Sequence, residues 1–126
     1  MKRIRVNQFS YQCDNKYIRV IIDEVAEYFN FNPFSKIRTQ DMVDCRNIIY
    51  YLIRKHVEKV TYQEIATIFK KDHSTVIQNQ QRFIDLLDCE PPLKRKLFKI
   101  EQLVQKRLTR INNAQEIYRQ AEKVYI

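Results

Sequence analysis

Asp72, His73, Ser74 and Thr75 form a run of short polar side chains just ahead of an apolar-periodic stretch, and Gln78, Gln81 and Arg82 follow one and two turns later. If Asp72 caps a helix, the residues just inside it present free backbone amides and the positive end of the helix dipole, which can approach a phosphate. The face opposite Val76, Phe83 and Leu87 carries Ser74, Gln78, Gln81 and Arg82, with Thr75 at its edge. Such groups suit the base edges of a DNA major groove. A glutamine can pair in bidentate fashion with adenine, a threonine methyl can meet a thymine methyl, and a hydroxyl can bond either donor or acceptor. Lys70, Lys71 and Arg82 flank this face and are candidate phosphate contacts, as is Lys36 in an upstream basic stretch, Lys36-Ile37-Arg38-Thr39-Gln40.

Positioning those residues requires a helix from about His73 to Leu87, held by Val76, Ile77, Phe83, Ile84 and Leu87. Thr61-Tyr62-Gln63-Glu64 has the pattern of a capping box, in which the Thr61 hydroxyl takes the Glu64 amide and the Glu64 carboxylate returns to the Thr61 amide. It predicts a short helix from Tyr62 to Phe69. Two helices joined only through Lys70-Lys71 and the Asp72 cap are a helix-turn-helix. Upstream, Ile18, Ile21, Ile22, Val25, Ala26 and Phe29 predict a first helix over Lys16–Asn30, capped by Asp14 or Asn15. Asn32-Pro33 predicts a short turn of helix to about Ile37. Asp41 is then the expected cap of a long helix over residues 42–57, the central strut, with His56 at its buried side. After the breaker Asp88-Cys89-Glu90-Pro91-Pro92, apolar residues from Leu93 to Tyr125 recur at helical spacing and predict one helix, or two broken near Asn112-Asn113. The fold class is all-α, in three segments: an N-terminal arm at 1–15, a helix-turn-helix domain at 16–89 and a basic helical extension at 90–126.

Composition narrows the chemistry. The chain of 126 residues contains no glycine, so neither a Walker loop nor a Rossmann turn, which bring backbone close to phosphate through glycine, can be formed. Cys13, Cys45 and Cys89 form no CxxC pair, and His56 and His73 are the only histidines, so no metal shell is expected and the thiols read as reduced. No paired catalytic carboxylates or nucleophile–base signature argue for an enzyme. The absence of an apolar stretch near the roughly 20 residues that span a bilayer makes a cytoplasmic, nucleoid-associated protein the expectation. The net charge of +8 favours a polyanion, and most of it lies in residues 93–126, where nine basic side chains face three acidic ones.

Asp72-His73-Ser74-Thr75-Val76 resembles the Asp-His-Ser/Thr-Thr-Val signature of the C-terminal DNA-binding domain of DnaA, the bacterial replication initiator, whose fold is Trp-repressor-like. The similarity covers about Val20 to Leu87 in the same order. Val25–Phe29 resembles the end of the family's first helix, Ser35–Arg38 its basic loop, Arg46–Arg54 its long helix, and Glu64-Ile65 with Phe69 the helix before the signature. The resemblance implies that Arg38 enters a minor groove, that His73, Ser74 and Thr75 contact bases, that Arg54 contacts phosphate and that Asp72 caps the helix. Two departures stand out. Lys70-Lys71 is one residue shorter than the family's turn and lacks its glycine, which implies a different docking angle; Gln78-Asn79-Gln80-Gln81 differs from the usual side chains, which implies a different target.

The expected function is sequence-specific binding of double-stranded DNA by a stand-alone DnaA-like protein without the ATPase module, linked to replication initiation or its regulation and encoded by a phage or mobile element. No cofactor, nucleotide or membrane is expected. The competing reading makes residues 93–125 a helix for homodimerisation or partner docking, with DNA contact secondary.

Overall fold

The protein, described from a computed structural model, is defined over residues 11–124. The first ten residues of the expected arm lie outside the described residues, as does Tyr125. Five helices follow in order: α1 (Lys16–Phe29), α2 (Gln40–His56), α3 (Tyr62–Phe69), α4 (His73–Cys89) and α5 (Pro91–Val124). No strand occurs among the described residues, and no helix among them is long and apolar enough to cross a membrane.

The first three helices start where a side chain takes orphan amides. Asn15 Oδ1 accepts from the Tyr17 and Ile18 amides at 2.9 and 3.2 Å, so Asn15 rather than Asp14 caps α1. Thr39 Oγ1 accepts from the Met42 amide at 3.3 Å, so α2 begins two residues earlier than expected, and Asp41 sits in its first turn instead of capping it. The short helix expected after Asn32-Pro33 does not form. Asn32 Oδ1 takes the Phe34 amide at 2.9 Å and Ser35 Oγ takes the Ile37 amide at 3.2 Å, local bonds that compete with helical ones. The segment is a single turn leading into an extended loop.

Without glycine, three residues among those described occupy the left-handed region: Asn30 closes α1 at φ 56°, Lys59 lies between α2 and α3 at φ 62°, and Lys70 closes α3 at φ 54°. Lys70 bonds back through its amide to Ala66 and Thr67, and Lys71 N–H reaches the Ala66 carbonyl at 2.9 Å, which turns the chain sharply into α4.

α2 is the central strut, packed against α1 and α4, while α3 packs on α4. Ile18, Ile21, Ile22, Val25 and Ala26 of α1 meet Cys45, Ile48, Ile49, Leu52 and Ile53 of α2. Burial at this level contributes roughly 1.5–3 kcal/mol for each large aliphatic side chain. The C-terminal stripe joins the same core: Leu93, Leu97, Ile100 and Val104 of α5 are buried in it, and α5 runs unbroken past Asn112-Asn113. α1 and α5 are antiparallel. Tyr17 bonds Asn112 at 3.1 Å, Arg107 pairs with Asp23 and Glu24, and Lys96 lies over the Phe29 ring at 5.5 Å. At the far end of α2, Glu101 of α5 meets Lys55 at 2.8 Å and half-buried His56 at 2.7 Å. All three cysteines are free, and burial pushes the Cys45 thiol up to about 12, far from its reactive form at neutral pH.

Candidate nucleic-acid interface

The loop before α2 is held in place from below. Arg46, a buried residue of α2, donates through Nε to the Pro33 carbonyl at 3.0 Å and through a terminal nitrogen to the Ser35 carbonyl. Above them Tyr11 stacks on Phe34 at 4.6 Å and Phe34 on Phe69 at 4.8 Å, and Tyr50 meets Phe69 edge-on at 5.1 Å. Loop, α2 and α3 are therefore locked together, and Lys36 and Arg38 project from a braced backbone rather than a free one.

α4 closes the other side. Its buried stripe is Val76, Gln80 and Phe83, with Gln80 Nε2 donating to the Asn47 backbone carbonyl of α2 at 2.9 Å. From sequence, Gln80 belongs to the run Gln78–Gln81 expected to alter the target; the structure places it in the helix–helix interface instead, where an amide donor fits the spare lone pair of a helical carbonyl. With that face fixed, Thr75, Asn79 and Arg82 turn toward the loop.

An open cleft of about 320 Å³ results, lined on one wall by Thr75, Asn79 and Arg82 of α4, on the other by Arg38, and below by Arg46, Asn47 and Tyr50, with Lys71 at its rim. The cleft is strongly positive. Partial burial, and then the fields of Arg46, Arg38 and Lys36, hold Lys71 below the ordinary lysine value. An anion entering the cleft relieves that repulsion. Asn47 Oδ1 on its floor is the buried side-chain oxygen or nitrogen left without a hydrogen-bond partner among the described residues, a group that ordinarily has one.

Of the residues expected from sequence to touch nucleic acid, Arg38, Lys71, Thr75 and Arg82 come together here, with Lys36 close enough to act on Lys71. His73, Ser74 and Gln78 are exposed at the start and outer side of α4, and Lys70 is exposed in the turn. Arg54 is not brought to the cleft. It donates to the Val60 carbonyl and stacks over the Tyr62 ring at 4.5 Å, bracing the connection into α3. Thr61 caps α3 through the Glu64 amide at 3.2 Å. Asp72 occupies the N-cap position of α4 and its carbonyl takes the Val76 amide, but its carboxylate bonds no helix amide; it accepts the Ser74 hydroxyl instead and lies 3.8 Å from His73 Nδ1. The expected side-chain cap is therefore replaced by a carboxylate that orients two exposed side chains. Asn79 and Arg46 were missed as site residues. Asn79 shares a face with Thr75 and Arg82 at i, i+4, i+7, a spacing that was available.

A family model described as the bacterial dnaA protein helix-turn-helix matches residues 18–82, from the first turn of α1 through Arg82 of α4, and so contains every residue of the cleft. The chain belongs to the bacterial DnaA helix-turn-helix family. It is 28% identical over 100 residues to the chromosomal replication initiator protein DnaA of Campylobacter jejuni subsp. jejuni serotype O:23/36, covering 76% of this chain and 22% of that protein. It is also 28% identical over 78 residues to DnaA of Mycoplasma pneumoniae, covering 60% of this chain and 18% of that one. The chain thus spans about a fifth of the length of these DnaA relatives. Within the DnaA-type unit, the glycine-free turn is made by Lys70 in the left-handed conformation.

Proposed function

We propose that this chain binds double-stranded DNA in a sequence-specific manner, with α4 docked in the major groove and the Arg38 loop reaching the adjacent minor groove, and that it serves at sites tied to the initiation of replication. The observation that carries this reading is the cleft in which Arg38, Lys71 and Arg82 converge on Thr75 and Asn79, inside a DnaA-type helix-turn-helix. Cations at the rim suit phosphates; neutral hydroxyl and amide groups beside them suit base edges. His73, Ser74 and Gln78 extend the same readout along the exposed start of α4. The relatives' name, chromosomal replication initiator, supports the link to replication.

Selection of bound sequences from a random duplex pool, followed by titration of the selected duplex at increasing salt, tests the reading. A consensus should emerge, and log affinity should fall with log salt by roughly 0.9 for each phosphate contacted. A slope near zero, or a pool that yields no consensus, would overturn it.

A further inference from the structure

Phe98 of α5 is 61% exposed, an unusual position for a phenylalanine. It lies beside Pro91 in a shallow depression of about 450 Å³ whose walls, completed by Lys94, Arg95 and Lys99, are almost wholly apolar. Lysine and arginine stems supply such walls while their charged ends stay in water. None of those three cations forms an ion pair with a described residue, not even Lys94 with Glu90 one turn earlier. One aromatic ring is thus ringed by unneutralised positive charge.

This patch is separate from the cleft. It begins at Pro91, nine residues beyond Arg82, the cleft residue nearest to it in the chain, and shares no lining residue with the cleft. It also lies outside residues 18–82, the part matched by the family. A duplex meets a phenylalanine only through a thymine methyl or an unstacked base step, a poorer fit to a concave, almost wholly apolar depression than a protein side chain. An anionic membrane needs an apolar stripe that continues along the helix, yet the next positions on the face of Phe98 are Gln102, Gln105 and Thr109. The apolar area ends within a turn and is concave, which fits one large side chain. Unpaired cations around it fit carboxylates on either side of that chain.

We propose that Phe98, Lys94, Arg95 and Lys99 form a docking site for an acidic protein segment carrying a single large apolar anchor. This rests on the patch alone and not on the DNA reading. A fluorescein-labelled peptide of aspartate and glutamate around a central Leu-Phe pair, titrated with the full chain, is the probe; its control has the pair replaced by serines. The anchored peptide should bind more tightly than the control. Phe98→Ser, which exposes no core because the ring is already outside, should weaken it by roughly tenfold, the loss typical of an anchor residue, with an unchanged circular dichroism spectrum. Replacing Lys94, Arg95 and Lys99 together by glutamine should do the same. Equal binding of the serine control, an unchanged affinity in Phe98→Ser, displacement by duplex DNA at moderate salt, or a Phe98-dependent preference for phosphatidylglycerol vesicles would each overturn the proposal.

Discussion

Arg46 shows how a charged residue can belong to a binding site without facing the ligand. Its guanidinium lies under the loop and bonds the Pro33 and Ser35 carbonyls, so it sets where Lys36 and Arg38 stand. Arg46→Ala should lower stability by about 1.5–3 kcal/mol, the usual worth of hydrogen bonds to a charged group, and weaken duplex binding with it. Arg46→Lys should restore the charge but not the two-pronged grip. Thermal melts and fluorescence anisotropy read both effects. Lys71→Ala, at the cleft rim, should leave the melt nearly unchanged and weaken all duplexes alike. Thr75→Ala should instead narrow the gap between selected and random duplexes. Equal losses on both kinds of duplex in both variants would reject that division. Thr75 and Lys71 were legible as candidates from their types and Arg38 from the resemblance of its loop, and the structure brings all three to one cleft. Arg46 was not, since nothing local distinguishes an arginine that bonds carbonyls thirteen and eleven residues away. Gln80 was readable in principle: Val76, Gln80 and Phe83 keep the i, i+4, i+7 spacing, but a polar type at a core position invites an outward placement.

The helices themselves were largely legible, because apolar period 3.6 is a strong signal, and the places where expectation and structure part are their ends. Side chains of Asn32, Ser35 and Asp72 found nearer partners than the ones assumed, a competition that spacing does not reveal. Left-handed positions were equally hidden in a chain with no glycine to mark them. Lys59 holds one of these between α2 and α3, and a side chain there costs about 1–2 kcal/mol. Lys59→Gly should therefore raise stability by about 0.5–1 kcal/mol after the entropic cost of glycine is deducted, visible as a higher melting temperature; no rise would mean the turn is not strained. The α2–α5 junction carries a pH dependence. Burial raises the Glu101 pKa, but hydrogen bonds from Lys55 and His56 outweigh it and leave the carboxyl below its ordinary value. A depressed carboxylate stabilises fully above its unfolded pKa of about 4.3 and loses that contribution as pH falls through the lowered value. Melts between about pH 6 and pH 3 should therefore decline more steeply in the wild type than in Glu101→Gln.

Across the molecule, the C-terminal helix is a wall of the core as well as a bearer of charge. Ile100 is fully buried, and Ile100→Ala should cost about 2–5 kcal/mol by leaving a cavity between α5 and the strut. Chemical denaturation reads that loss directly. Removing everything after Pro92 would strip Leu93, Leu97, Ile100 and Val104 from the core, so such a truncation would report unfolding before it reported any change in association. Patterning on α5 made its apolar stripe legible in the sequence, but not whether the stripe covers this core or a partner, because periodicity does not name the surface it packs on. The antiparallel pairing of α1 with α5 also sets an order of events during synthesis. Tyr17 and Asn112 are 95 residues apart in the chain, and Arg107 is 84 from Asp23. Until Val104 has left the ribosome, the apolar side of α1 has only α2 to lie against. The helix-turn-helix can form early from neighbouring segments, whereas the α1–α5 pairing closes last and at the entropic cost of a long loop. A nascent chain arrested before that point presents an open hydrophobic flank, and that is the species on which chaperone capture and proteolysis would act.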